Sequence, residues 1–222
     1  MSEALERFKN KSSTYLAPLE NTEGKLDFEA HKVAEVLNNE MRESLGYIGV
    51  APIGSMVRGY ATKDSDIDVV VFRERALVAS STEEDAFIRE ICEHVVAKSK
   101  TKRTFSFIQS RFSEKDVQHV IEMAKQNSYD ENPLWMYIFS PTAIGPKIEE
   151  YRTMVKEALE PLPEDVREKA VMGMAYALVR AEIRSHEKIE ERIPGIDDEQ
   201  QKNIFRERYN LWMRQIHAIL DA

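Results

Sequence analysis

The run Ile67 to Phe72, IDVVVF, constrains this chain more than any other stretch. It is β-branched and almost wholly apolar, which suits a central strand buried on both faces. Such a strand needs partners at its edges and cover above and below. Tyr47 to Ile53 (YIGVAPI) is a short apolar strand candidate that runs into Gly54 and Ser55. Thr104 to Gln109 (TFSFIQ) alternates like a second partner, although its two faces are not cleanly polar and apolar. Helices are expected as cover. In Leu26 to Ser44 the residues Ala30, Val33, Ala34, Leu37 and Met41 recur at the helical period, and Gly46 stops the run. Ser81 to Lys98 carries a stripe of Phe87, Ile88, Ile91 and Val95, with Thr82 as a cap. Ser113 can cap a third helix with Val117, Val120, Ile121 and Ala124 on one face. Leu134 to Phe139 (LWMYIF) reads as a further short strand or buried segment between Pro133 and Pro141.

After Gly145 and Pro146 the pattern is helical nearly to the end. Pro161 and Pro163 split a first helix from a long second one. Ile193-Pro194-Gly195 splits that from a last helix, where Ile204, Leu211, Ile216 and Leu220 can pack. The expected fold is α+β: a mixed-sheet core over residues 1–145 with an N-terminal helix, then a helical bundle over 146–222. The length, 222 residues, is enough to bury a real core.

Charge and cysteine content narrow the function classes. A net charge of −8 lacks the global field of a non-specific nucleic-acid binder, and suits a cationic or neutral acceptor slightly better. One cysteine, Cys92, allows no intrachain disulfide and reads as a small core or boundary residue. No apolar run approaches the roughly 18 residues of a membrane span, and the N-terminal MSEALERFKNKSS has no apolar signal core. A cytoplasmic, membrane-free protein is therefore expected. His31, His94, His119 and His217 have no ligand spacing with Cys92 or with one another, so no zinc site is expected.

The stretch that carries chemistry is Gly54 to Phe72, GSMVRGYATKDSDIDVVVF. Asp66 and Asp68 are separated by one residue at the start of the strand, so period 2 places both carboxylates on one face. Two adjacent carboxylates repel, and a divalent cation between them relieves this. Their hard oxygens favour Mg2+ or Mn2+, which can bridge the oxygens of a triphosphate. Gly54 lets backbone approach a phosphate closely. The Ser55 hydroxyl and neighbouring N–H groups can hold the triphosphate. Arg58 and Lys63 add positive charge, and Ser65 can cap or orient the carboxylate loop.

GS, a short gap, RG, another gap and SDIDVVV resemble the signature of polymerase-beta-type nucleotidyltransferases. The resemblance is specific over about twenty residues and looser over roughly residues 26–145. YIFSPTAIG resembles the strand and loop that end this core in minimal and antibiotic-modifying members. The resemblance implies that Gly54 and Ser55 grip nucleotide phosphates and that Asp66 and Asp68 bind catalytic magnesium. It also implies transfer of a nucleoside monophosphate from a nucleoside triphosphate to a hydroxyl, with release of pyrophosphate.

Members of that superfamily usually carry a third carboxylate on a neighbouring strand, often as general base. Thr104 to Gln109 contains Ser106 and Gln109 but no acid. Glu122, Asp116 and Glu182 are the alternatives, and a site with two acids is the other outcome. Glu122 fits better on a helix than on a strand, and Asp116 fits a helix N-terminus. Lys100, Lys102 and Arg103 can meet phosphate, although a solvated strand approach is the simpler reading. Trp135, Tyr137 and Phe139 can stack a base, but apolar core is simpler, and Tyr209 and Trp212 read as packing residues. Arg180 and His186 stand at a spacing like that of HEPN-type nucleases, and a solvated face accounts for them. The leading expectation is a small-molecule acceptor, aminoglycoside-like if the helical wall is acidic. A protein or RNA acceptor, as in antitoxin-like members, and a non-catalytic nucleotide-binding module are the competing readings.

Overall fold

The computed structural model describes residues 25–54, 65–74, 81–126, 128, 134–183 and 198–222. Helix α1, Lys25–Met41, buries Ala30, Val33, Ala34, Leu37 and Met41, the stripe expected from its periodicity. It stops three residues short of Ser44. The Ser44 N–H donates to the Met41 carbonyl at 2.8 Å, and Gly46 turns the chain at φ +73°. Arg73 donates from Nη2 to the Leu45 carbonyl at 3.0 Å, which holds this turn against the sheet.

The sheet has the order β1-β2-β3. Strand β1, Tyr47–Ile53, pairs antiparallel with β2, Ile67–Arg73. Strand β3, Phe105–Arg111, pairs parallel with β2. IDVVVF is thus the central strand, as its composition demands. Parallel neighbours need a long crossover, and α2, Ser81–Ser99, supplies it. An isolated bridge between Val50 and Ile144 extends the pairing beyond β1. There the chain crosses itself tightly. A Cβ on Gly145 would meet the Gly49 Cα at 2.3 Å, and one on Gly49 would meet the Ile144 carbonyl oxygen at 2.6 Å. Two glycines at this crossing are a steric requirement.

Period 2 divides β2 between two cores. Ile67, Val69 and Val71 join Phe105, Phe107 and Tyr47 under α1 and α2. Val70 and Phe72 face the other way with Ile48, Ala51 and Ile53. The register shift between Tyr47 and Gly49 changes the phase of β1, which explains why Tyr47 and Val50 share one side while Ile48 and Ala51 share the other.

That second core continues through helices. Helix α3, Glu114–Lys125, buries Val117, Val120, Ile121 and Ala124, as predicted. Helices α4 (Ile148–Leu159), α5 (Glu164–Ile183) and α6 (Asp198–Leu220) follow, with α5 packed against both α3 and α6. Leu134–Phe139 is a 3-10 helix rather than a strand. Its side chains Trp135 through Phe139 are all buried, where a strand lying on one face would bury alternate residues. The edge of β1 is occupied by Ile144 in any case. Arg152 caps this segment, donating to the carbonyls of Ile138 and Ser140, each at 2.8 Å. Phe112 stacks on Trp135 at 4.6 Å, and Tyr137 meets Trp212 edge-on at 5.7 Å, so these rings serve the core. Among the described residues, no helix is long and apolar enough to cross a membrane. Ile193 to Gly195 and the Ile204 side chain lie outside the described residues.

Candidate active site

Asp68 sits at the second position of β2, on the face it shares with Val70 and Phe72. Asp66 precedes the strand and is exposed, while Asp68 is half-buried. Across the antiparallel pair, Asp68 stands opposite Ile53. The residue after Ile53 is Gly54, at φ +79°. A Cβ on Gly54 would meet the Asp68 Oδ2 at 2.5 Å. The glycine is therefore required twice: by its left-handed backbone and by the carboxylate packed on its Cα. The strand–glycine–carboxylate geometry expected from the motif is present. Ser55, Arg58 and Lys63 lie outside the described residues.

Across the parallel pair, Asp68 stands opposite Ser106. The Ser106 hydroxyl donates to the Asp68 Oδ1 at 3.2 Å. The alternation of β3 explains its aim. Phe105 and Phe107 turn into the core under α1 and α2, so Ser106 and Ile108 emerge on the Asp68 face. Ile108 is 45% exposed, unusual for a large apolar side chain on a strand. The helices cover this face over Val70 and Phe72 and leave Asp68, Ser106 and Ile108 at its open part.

A second set of residues fixes the approach to Asp66. Ser65 is 2% exposed, and its carbonyl accepts from Arg103 Nη1 at 2.9 Å. Arg103 Nε donates to the Glu29 Oε2 at 3.0 Å, and the Thr101 hydroxyl donates to the other Glu29 oxygen. The Ile67 N–H donates to the Thr104 carbonyl at 2.8 Å. Helix α1, the loop before β3 and the segment before β2 are thus tied together next to the carboxylates. Arg103 is 13% exposed at its side chain, so it is neither a solvated residue nor a free phosphate ligand. Lys100 and Lys102 are exposed on the same loop.

Two of the three alternative acids, Glu122 and Asp116, fall elsewhere. Glu122 is an exposed residue of α3, a helix as its period predicted. The Asp116 Oδ2 accepts from the N–H and the hydroxyl of Ser113, each at 2.7 Å, so this carboxylate caps α3. Glu182 lies on α5, but its side chain is outside the described residues, as is His186. Arg180 is exposed and lies 6.0 Å from the Tyr176 ring centroid. Among the described residues, no three of His, Cys, Asp and Glu group as a ready-made metal site. His94 meets Glu40 at 3.1 Å, and His217 meets Glu168 at 3.2 Å, each pair on separate helices. Burial raises the Cys92 thiol above its usual range, which fits an inert boundary residue.

A sizeable cavity among the described residues lies away from this site. This open cleft of about 760 Å3 lies among α4, α5 and α6, with Leu159, Val171 and Leu220 as apolar wall and no sheet residue in its lining. The carboxylate pair, the positive-φ glycine and the open sheet face are the better guide to chemistry.

The donor set suits a hard divalent cation. Asp66 and Asp68 offer carboxylate oxygens only, and Gly54 keeps the space beside Asp68 Oδ2 free of a side chain. No curated protein and no solved structure matches the chain. A family model, described as nucleotidyltransferase domain, matches residues 35–126. The match runs from α1 through the whole sheet to the end of α3, and so contains Gly54, Asp66, Asp68 and Ser106. Residues 35–126 of this chain are therefore similar to a nucleotidyltransferase domain, which is consistent with the polymerase-beta-type superfamily.

Proposed function

We propose that this chain transfers a nucleoside monophosphate from a nucleoside triphosphate to a hydroxyl of a small-molecule acceptor, with Mg2+ or Mn2+. The observation that supports it most is Asp68 set beside Gly54 on the open face of the central strand, two residues after Asp66. Asp66 and Asp68 would hold the cation, which supplies positive charge to the triphosphate oxygens during in-line displacement. Gly54 and Ser55 would hold the phosphates, with Arg58, Lys63 and Ser65 completing the loop. In that loop the Ser65 carbonyl is fixed by Arg103, so the segment leading to Asp66 is held in place before substrate arrives. Ser106 orients Asp68 through its hydroxyl. The chain's net charge of −8 favours a cationic acceptor, such as an aminoglycoside, over RNA. We place the division between the nucleotide-holding part and the helical acceptor wall near residue 145.

A second reading has one specific observation in its favour. The hydroxyl of Ser106 occupies the strand position opposite Asp68, where an acid would supply a base. A domain that binds nucleotide without transferring it fits that substitution. Pyrophosphate release separates the two readings. The proposal expects release that requires an acceptor and divalent cation and disappears in Asp66→Ala and Asp68→Ala. Nucleotide binding with no release across cationic, neutral and protein acceptors favours the binding module.

A further inference from the structure

We infer that Lys102 contacts the terminal phosphates of the bound nucleoside triphosphate, reaching them from the flank of Asp66 and Asp68 opposite Gly54. This rests on the reading of those two carboxylates as the nucleotide centre. The face on which Lys102 stands comes first. Thr101 and Arg103 both direct their side chains to Glu29 of α1. Helix α1 packs on the sheet face of Ile67 and Val69. Lys102, between Thr101 and Arg103, therefore leaves on the other side, that of Asp68. Exposure follows the same period. Lys102, Thr104, Ser106 and Ile108 are exposed, and Thr101, Phe105 and Phe107 are buried. The exposed four form one row along β3 and its approach, and in that row the Ser106 hydroxyl donates to the Asp68 Oδ1.

The approach to β3 is fixed by its own hydrogen bonds. Lys100 turns the chain after α2 at φ +58°, and its N–H donates to the Val96 carbonyl at 3.1 Å. The Thr101 N–H donates to the Ser99 hydroxyl oxygen at 3.4 Å, and the Arg103 N–H to the Thr101 hydroxyl oxygen at 3.1 Å. Arg103 meets the Glu29 carboxylate at 3.0 Å, whereas Lys102 forms no ion pair among the described residues. Its charge is left for a ligand. Reach follows from register. The Ile67 N–H donates to the Thr104 carbonyl, which sets Thr104 beside Asp66. Strand spacing and rise then put the Lys102 backbone roughly 8 Å from that of Asp66, and an extended lysine side chain spans most of that gap. Gly54 bounds the carboxylates on the β1 flank, and Lys102 supplies positive charge on the β3 flank. An ammonium on a flexible stem, with rotatable donors, suits a chain of phosphate oxygens. A monophosphate held at the carboxylates stops short of it, and a triphosphate does not.

The test is calorimetric binding of the full chain, with Mg2+, to α,β-methylene triphosphate analogues of the four ribonucleosides and to the matching monophosphates. Wild type should prefer the triphosphate. Lys102→Met should lose about ten-fold of triphosphate affinity and keep the affinity for monophosphate. Its denaturation midpoint should not move, because Lys102 is exposed. Lys102→Arg should restore most of the loss. Lys202→Met, which removes the same charge from the exposed surface of α6, should change neither affinity. Unchanged triphosphate affinity in Lys102→Met would overturn the inference. Equal losses for both nucleotides would overturn it too, since they report a general field and no phosphate contact. Asp68→Asn separates the two levels. If it loses triphosphate binding while Lys102→Met does not, the failure is confined to Lys102. If wild type binds no triphosphate, or Asp68→Asn binds it as wild type does, the nucleotide centre itself is misplaced and the inference falls with it.

Discussion

At the scale of single residues, the site depends on a few close contacts. Gly54 has no room for a methyl group, since its Cβ would lie 2.5 Å from Asp68 Oδ2. Gly54→Ala should therefore displace the Asp68 carboxylate as well as strain the φ +79° backbone. The expected cost is about 1–3 kcal/mol of stability, with a loss of metal-dependent nucleotide binding that exceeds it. Chemical denaturation and a binding titration check this together. Arg103 is the second such residue. Arg103→Met keeps the aliphatic stem but removes the guanidinium bonds to the Ser65 carbonyl and to Glu29 Oε2. That should cost about 1–3 kcal/mol and weaken nucleotide affinity, because the approach to Asp66 is released. Unchanged affinity in a destabilised Arg103→Met would show that the brace serves the fold alone. The carboxylate pair and Gly54 were legible in the sequence, because an Asp-x-Asp at the head of an apolar strand after a glycine is a local pattern. Arg103 was not legible. Its partners, Glu29 and Ser65, are 74 and 38 residues away, and no local pattern distinguishes a bracing arginine from a solvated one.

At the scale of elements, periodicity carried most of the information. The stripes of α1 and α3 are buried as expected, and β2 is central as its apolar run required. Leu134–Phe139 stayed open between a strand and a buried segment, and proved to be the latter, because a continuous apolar run has no period that separates the two. Register was hidden too. Alternation in Phe105-Ser106-Phe107 gives the face of Ser106, but only the parallel pairing sets it opposite Asp68. The crossing of Gly49 and Gly145 is a junction of elements that bears a direct test. Gly145→Ala places a Cβ 2.5 Å from the Ile48 carbonyl oxygen and 2.3 Å from the Gly49 Cα, both backbone atoms. Overpacking against backbone should cost at least about 1–3 kcal/mol, read as a lowered denaturation midpoint. Between α1 and α2, Lys98 Nζ donates to Glu40 Oε1 at 2.6 Å. The Lys98 hydrogen bond, with His94 nearby, holds the Glu40 carboxyl below its ordinary value of 4.5. A depressed carboxylate contributes stability that is present above its unfolded value and lost as pH falls through its folded one. Wild type should thus exceed Glu40→Gln in thermal midpoint near neutral pH, with the gap closing as pH drops below 4.5. A gap that stayed constant into acid would contradict the pairing.

At the scale of the whole molecule, the helices and the sheet share one core. Val70 and Phe72 of β2 pack in the same cluster as Leu178 of α5 and Trp212 of α6. A chain ended at residue 145 would expose that sheet face and the rings of Trp135 and Tyr137. It should lose cooperative unfolding, although the composition shift there reads as a boundary. Composition reports what kind of element follows, and it is silent on which face of the sheet those elements cover. The same packing leaves Asp68, Ser106 and Ile108 on the open part of the face, which is where we place nucleotide chemistry. The most direct test of that placement is binding of a nucleoside triphosphate to the full chain with and without Mg2+, for wild type and for Asp68→Asn, which keeps the shape and removes the charge. We expect wild type to bind only with the cation and Asp68→Asn to lose that dependence along with its affinity. Equal, cation-dependent binding by both proteins would contradict the account.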